Sequence, residues 1–428
     1  MFSGATVGNV LLLFALIYVA YRYTASAAKY REDVRYGDQH GCKPPTWVMP
    51  YKLPLALDVL KKGFHAGRQK RLLAMFDQYF DTLGPTVEVS ILAGKGYATM
   101  DPANIEAIPS TRFQDFHLGP RSVAMKAMIG EGIFTQNLDG FQEHIEYLIS
   151  TLRGANPGVV DLQPLFFRLT LNTTIAMILG QPVESFNHDI GDQFSRSFNK
   201  ASLVTATRVR LGDLGFLYAP RGFYQACKTV KDYTQKFVQD ALQSDTSAKD
   251  SCPETLIGVM NEEYQDPDLI RDQVINILIA GRDTTATTMS YAIRLLTRHP
   301  EKLQILRAEI SDVLGNDLVI TRAKVQRMHY LQSVIRETLR LYPPVPINTR
   351  FCKRATHLPF GGGPDGQFPL LIRENMPVAY SVYHMQRRRD IYGEDALSFR
   401  PERWDDELLT NVKWAYLPFN GGPRRTLA

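Results

Sequence analysis

The chain has 428 residues, 44% of them hydrophobic and 22% charged, with 30 glycines and 25 prolines; it is long enough for a large core, and its composition excludes collagen-like or mostly disordered chains. Its 49 basic and 44 acidic side chains leave a net charge of +5 scattered along the sequence, without the concentrated basic blocks of a nucleic-acid binder, so no nucleic-acid partner is expected. Four cysteines (Cys42, Cys227, Cys252, Cys352) with no C-x-x-C pair exclude a disulfide scaffold or zinc ribbon and fit free thiols in a reducing compartment.

The first element in chain order is an apolar run, Val7 to Tyr21, broken only by Gly8 and Asn9. With the small residues Gly4 to Thr6 it reaches the length of a thin bilayer, which predicts a transmembrane anchor over 1–24. A signal peptide is the competing reading, because Ala-Ser-Ala-Ala follows at 25–28. Arg22, Lys29, Arg31 and Arg35 follow the run and nothing basic precedes it, so the positive-inside rule puts the downstream chain in the cytosol. Residues 25–45, ending in Gly41-Cys42-Lys43-Pro44-Pro45, read as a proline-containing linker.

The body, 46–428, reads as one mainly α domain with a minor β-sheet. Amphipathic helices are predicted near 68–82, 140–153, 162–180, 223–243, 270–299, 300–314 and 331–341. Strands are predicted near 85–92, 96–100 and 368–384.

The segment Arg271 to His299 predicts a rod about 43 Å long, closed by Pro300. Its first half is apolar on nearly every face (Val274, Ile275, Ile277, Leu278, Ile279), yet its centre reads Ala280-Gly281-Arg282-Asp283-Thr284-Thr285. A glycine there costs about 1 kcal/mol relative to alanine, and β-branched threonines add tenths more. Such local rule-breaking marks candidate functional sites: Gly281 leaves room for something flat, while Asp283 and Thr284 offer an acid and a hydroxyl. A kinked core helix with a solvated Asp is the competing reading. Further on, Glu337 and Arg340 share a helix face, and Phe399-Arg400-Pro401-Glu402-Arg403-Trp404 supplies a further arginine for a buried network. Phe419-Asn420-Gly421-Gly422-Pro423-Arg424 follows.

In that order and spacing the chain resembles a cytochrome P-450, a haem-thiolate monooxygenase. The matching blocks are Ala280 to Thr285, Glu337 to Arg340, Pro401 to Arg403, and Phe419 to Arg424. Phe360-Gly361-Gly362-Gly363-Pro364-Asp365-Gly366 and the Gly41 to Pro45 link are most similar to fungal members acting on n-alkanes and fatty acids. The resemblance implies the P-450 fold, haem b, and NADPH electrons delivered by NADPH-cytochrome P-450 reductase. It also implies a monomer on the endoplasmic reticulum membrane, in contact with membrane lipid, that inserts one oxygen atom from O2 into a C–H bond of a long apolar substrate.

Carried over residue by residue, the resemblance assigns proton delivery to Asp283 and Thr284. Ala280, Gly281, Arg350, Phe419, Gly422 and Arg424 stand at cofactor-binding positions, and Glu337, Arg340 and Arg403 at structural ones. Two departures concern the haem. A family helix near residue 135 has no counterpart in Gly132 to Gly140, and the family's iron-ligating cysteine falls at Thr426. A threonine hydroxyl is neutral and lacks the electron push of a thiolate. The departures leave two readings: an incomplete rendering of a longer monooxygenase, or a catalytically inactive, membrane-bound lipid-binding relative. The run Arg387-Arg388-Arg389 reads either as a reductase-docking patch or as a solvated charge run. No H-E-x-x-H, G-x-S-x-G or P-loop motif points to another enzyme class.

Overall fold

The computed structural model describes residues 4–91, 94–119, 141–154, 159–179, 188–247, 256–315, 319–405 and 412–423. The chain divides into two compact units, one of Met1–His117, Ile347–Met385 and Asn420–Arg425, the other of Leu118–Pro346, Gln386–Phe419 and Thr426–Ala428.

The first unit holds every described strand: β1 (Trp47–Val48), β2 (Thr86–Ile91), β3 (Gly94–Thr99), β4 (Phe116–His117), β5 (Ile347–Cys352), β6 (Thr356–Gly362), β7 (Phe368–Ile372) and β8 (Pro377–Ser381). Six form one sheet in the order β1-β2-β3-β8-β5-β4, and β6 pairs with β7 in a separate hairpin. The glycine-rich segment makes that hairpin possible. Gly363 has φ +79°, and a Cβ on Gly362 would sit 2.6 Å from the Pro369 carbonyl oxygen. Asn104 joins the two sheets: its Nδ2 donates to Thr86 Oγ1 and to the Phe360 carbonyl, both at 3.0 Å, and its Oδ1 accepts from Phe360 N at 2.9 Å.

Residues Gly4–Gln39 form one 36-residue helix, so the predicted linker is helical over most of its length. No helix among the described residues is long and apolar enough to cross a membrane. The end of the N-terminal helix is held to β6 by polar contacts. Tyr36 Oη lies 3.2 Å from His357 Nδ1, and Arg112 Nη2 donates to His357 Nε2 at 2.5 Å. Because a guanidinium only donates, Nε2 is the acceptor and the ring proton sits on Nδ1, facing Tyr36. Burial, with the charges of Arg112 and His40, pushes His357 down to about 4, so the ring is neutral at physiological pH.

The helix predicted at 68–82 is Leu72–Thr82; a second helix, Leu57–Arg68, precedes it unannounced by the sequence reading, and Lys70, at φ +57°, separates the two.

The second unit is helical. Its longest helix, Pro267–Arg298, starts at Asp266, whose Oδ1 accepts from the N–H groups of Asp268 and Leu269, and has Pro at its first position. It packs on the helices Leu162–Leu179 and Phe223–Ser247, and Val274, Ile275, Ile277 and Leu278 enter the largest core cluster with Ile178, Phe198 and Val230. The helix His188–Arg210 was not expected from sequence. It is polar, with Gly191, three Ser, two Thr and one Asn, but Phe194, Phe198, Ala201 and Val204 are buried at helical spacing. That stripe is its sequence signal, and packing overrides weak propensity.

Glu337, on the helix His329–Leu341, forms a network with Arg340 and Arg403, all three fully buried. Arg340 donates to both Glu337 oxygens at 2.9 Å, and Arg403 Nε donates to Oε1 at 2.9 Å. Arg400 N adds a fourth donor at 3.0 Å. Removing the carboxylate leaves the buried Arg340 guanidinium without a counter-charge and Arg403 with Asp395 alone, a loss of about 3–5 kcal/mol. Urea titration of Glu337→Ala is therefore expected to show that loss of unfolding free energy, or no folded protein.

Candidate functional site: the centre of the long helix

Thr284 is on the buried long helix, and its Oγ1 donates to the Ala280 carbonyl at 2.6 Å; Thr288 does the same to Thr284 at 2.9 Å. These i to i−4 bonds satisfy the hydroxyls inside the helix, which runs on without a break.

Asp283, the next residue back, is half-exposed and pairs with Arg282 at 3.1 Å. Burial pushes its carboxyl above the ordinary value, and the Arg282 charge only partly offsets that. A carboxyl with a raised proton affinity is suited to hold a proton and pass it on.

Gly281 corrects the sequence reading. A Cβ there would lie 2.8 Å from Thr174 Oγ1 and 3.2 Å from Thr174 Cγ2. The missing side chain lets the helix Leu162–Leu179 pack closely. It does not open a space for a flat group. Thr174 is itself fixed, since its Oγ1 donates to the Thr170 carbonyl at 2.6 Å, and Thr170 Oγ1 donates across to the Arg282 carbonyl at 3.0 Å.

The other expected cofactor residues lie apart from this helix in the chain. Phe419, in the second unit, is partly exposed. In the first unit, Arg350 is buried on β5, where Nη1 donates to Asn348 Oδ1 at 2.8 Å and the guanidinium lies over the Tyr380 ring. Gly422 has φ +75°, and a Cβ on it would collide with the Pro109 carbonyl, so it too is needed for backbone packing. Arg424, Thr426 and the Gly132 to Gly140 segment lie outside the described residues.

The basic run does not form an open patch. Arg387 Nη2 donates to the Leu341 carbonyl, Arg388 pairs with Asp390 at 2.6 Å, and the exposed Arg389 pairs with Glu394 at 3.2 Å. Gln386, just before it, was missed by sequence reasoning. It is fully buried, its Nε2 donates to the carbonyls of Leu339 and Arg340, and its Oε1 accepts from Leu417 N at 2.8 Å. It thereby ties the Glu337 helix to the segment that leads into Phe419. No periodicity marks a lone glutamine for such a role.

Residues 116–425 match the family model described as Cytochrome P450. The chain belongs to the cytochrome P450 family. It is 40% identical to a cytochrome P450 of Arthroderma benhamiae, over 97% of this chain and 86% of that protein. It is 33% identical to cytochrome P450 52A13 of Debaryomyces hansenii, over 86% of this chain and 79% of that one. Identity to cytochrome P450 52E1 of Candida apicola is also 33%, over 98% of this chain and 86% of that one.

Cytochromes P450 are monooxygenases, and the family implies haem and NADPH electrons supplied through a reductase. Of the residues expected on the oxygen side of a haem, Asp283 and Thr284 are consecutive on the long helix, the carboxyl paired with Arg282 and the hydroxyl bonded to the Ala280 carbonyl. Among the described residues there is no group of three or more His, Cys, Asp or Glu that could hold a metal ion. Cys352 is no thiolate either. It is buried at the end of β5, its Sγ donates to the Arg354 carbonyl at 2.7 Å, and burial pushes the thiol up to about 12.

Two outcomes follow from these contacts. Gly281→Val is expected to lower the unfolding free energy by about 2 kcal/mol through overpacking. In a Thr174→Ala background that cost falls by more than half, as read in a urea double-mutant cycle. Cys352, neutral well above pH 8, is expected to stay unlabelled by iodoacetamide at pH 8 in the folded protein and to react only after denaturation, as peptide mass mapping would show.

Proposed function

We propose that this protein is a membrane-bound monooxygenase that inserts one oxygen atom from O2 into C–H bonds of long apolar substrates, n-alkanes and fatty acids. The carrying observation is the consecutive Asp283 and Thr284 on a buried helix in a chain similar over 86% and 98% of its length to the cytochromes P450 of Debaryomyces hansenii and Candida apicola. The substrate class is supported by the glycine-rich Phe360 to Gly366 segment and the Gly41 to Pro45 link, which resemble fungal members with those substrates. The apolar run Val7 to Tyr21 with basic residues after it supports an anchor in the endoplasmic reticulum membrane and a cytosol-facing body. A reductase partner carrying NADPH electrons completes the reading.

Haem, when bound, supplies the activation of O2. The chain's own part is proton handling at the Asp283 carboxyl and the Thr284 hydroxyl, on a helix whose core face excludes water.

The test uses the protein purified from carbonate-washed native membranes and reconstituted with the reductase. NADPH- and O2-dependent conversion of n-hexadecane or palmitate to hydroxylated products is expected, and Asp283→Asn should reduce the rate by about 100-fold. Recovery in the carbonate supernatant would overturn the anchor. Absence of bound haem and of product would overturn the monooxygenase reading and leave a lipid-binding protein.

A further inference from the structure

Arg282 is an arginine in the hydrophobic centre of a long helix, only 3% exposed. Neighbours at i and i+1 do not face each other on a helix, so Arg282 and Asp283 should point about 100° apart. Yet Nη1 donates to Asp283 Oδ1 at 3.1 Å. The long side chain is bent by its surroundings. Its guanidinium lies between the rings of Phe167 and Phe198, 4.9 and 5.2 Å from their centroids, and Nη2 donates to Asn199 Oδ1 at 2.5 Å. Its Nε is buried without a hydrogen-bond partner, so the group accepts an unsatisfied donor in order to hold this pose.

A purely structural arginine would be hard to account for here. Burying a cation is unfavourable unless its partners offset the desolvation, and an apolar side chain between two phenylalanines would avoid the cost. What an apolar side chain could not do is hold the Asp283 carboxylate.

We propose that Arg282 is a positioning residue: a clamped cation that fixes the direction of the Asp283 carboxylate and ties it, through Asn199, to the helix His188–Arg210. The proposal rests on the reading of Asp283 as a proton-handling group. Phe167 and Phe198 come from the helices Leu162–Leu179 and His188–Arg210, so three helices set the pose of one carboxylate. Among the described residues, Arg282 is the one charged group acting on Asp283. Its removal leaves burial unopposed.

The test compares Arg282→Met, Arg282→Lys and Asn199→Ala in the full chain, with Asp283→Asn as reference. The first readout is the infrared carboxyl band that Asp283→Asn deletes, followed through a pH titration. Its midpoint is expected to rise in Arg282→Met, to rise less in Asn199→Ala, and to return toward wild type in Arg282→Lys. The second readout is turnover, with kcat expected to fall about tenfold in Arg282→Met at unchanged KM. Should Arg282→Met fail to fold, Asn199→Ala decides, because Asn199 is exposed. Lower melting temperatures in all three variants with an unmoved Asp283 band and midpoint would overturn the proposal and leave Arg282 a structural residue. If instead Asp283→Asn leaves turnover unchanged while the band still responds to Arg282, the proton-handling reading fails and the positioning holds.

Discussion

The second unit depends on one buried carboxylate. Glu337 has no contact with water, and its two oxygens accept from Arg340, Arg403 and the Arg400 amide. Each arginine has donors left over after serving it, and those reach backbone oxygens. Arg340 takes the carbonyls of Gln386, Ala396 and Ser398, and Arg403 those of Tyr392 and Asp395. A segment about sixty residues further along the chain is thus wrapped on the end of one helix. Charges buried this deeply persist only when every donor is used, as they nearly are here.

That wrapping continues toward the C-terminal loop. Tyr392, whose ring lies under the Arg340 guanidinium, donates its hydroxyl to the Ala415 carbonyl at 2.9 Å. Gln386 holds Leu417. The backbone just before Phe419 is therefore positioned by groups that answer to Glu337.

The long helix uses the opposite device. Its core face is ordinary close packing, and its centre breaks helix preferences for distinct reasons. Gly281 admits Thr174, the threonine hydroxyls bond back to their own helix, and Arg282 is bent over to reach its neighbour. A glycine in a functional motif is readily taken as space for a ligand, whereas here the contact is with another helix.

The sequence by itself determined the helix-rich class, the extent of the long helix to within a few residues, the pairing partners of Glu337 and the family, because periodicity, capping residues and ordered motifs are local or nearly local signals. It also placed an acid and a hydroxyl at consecutive positions of that helix. Only the tertiary structure decided what each residue faces. It assigned Gly281 to Thr174 and bound the basic run at 387–389 to its neighbours. It made a helix of the polar segment 188–210, gave Gln386 a role no pattern announces, and clamped Arg282 between two phenylalanines. These depend on contacts between residues far apart in the chain, where packing and desolvation outweigh local preference.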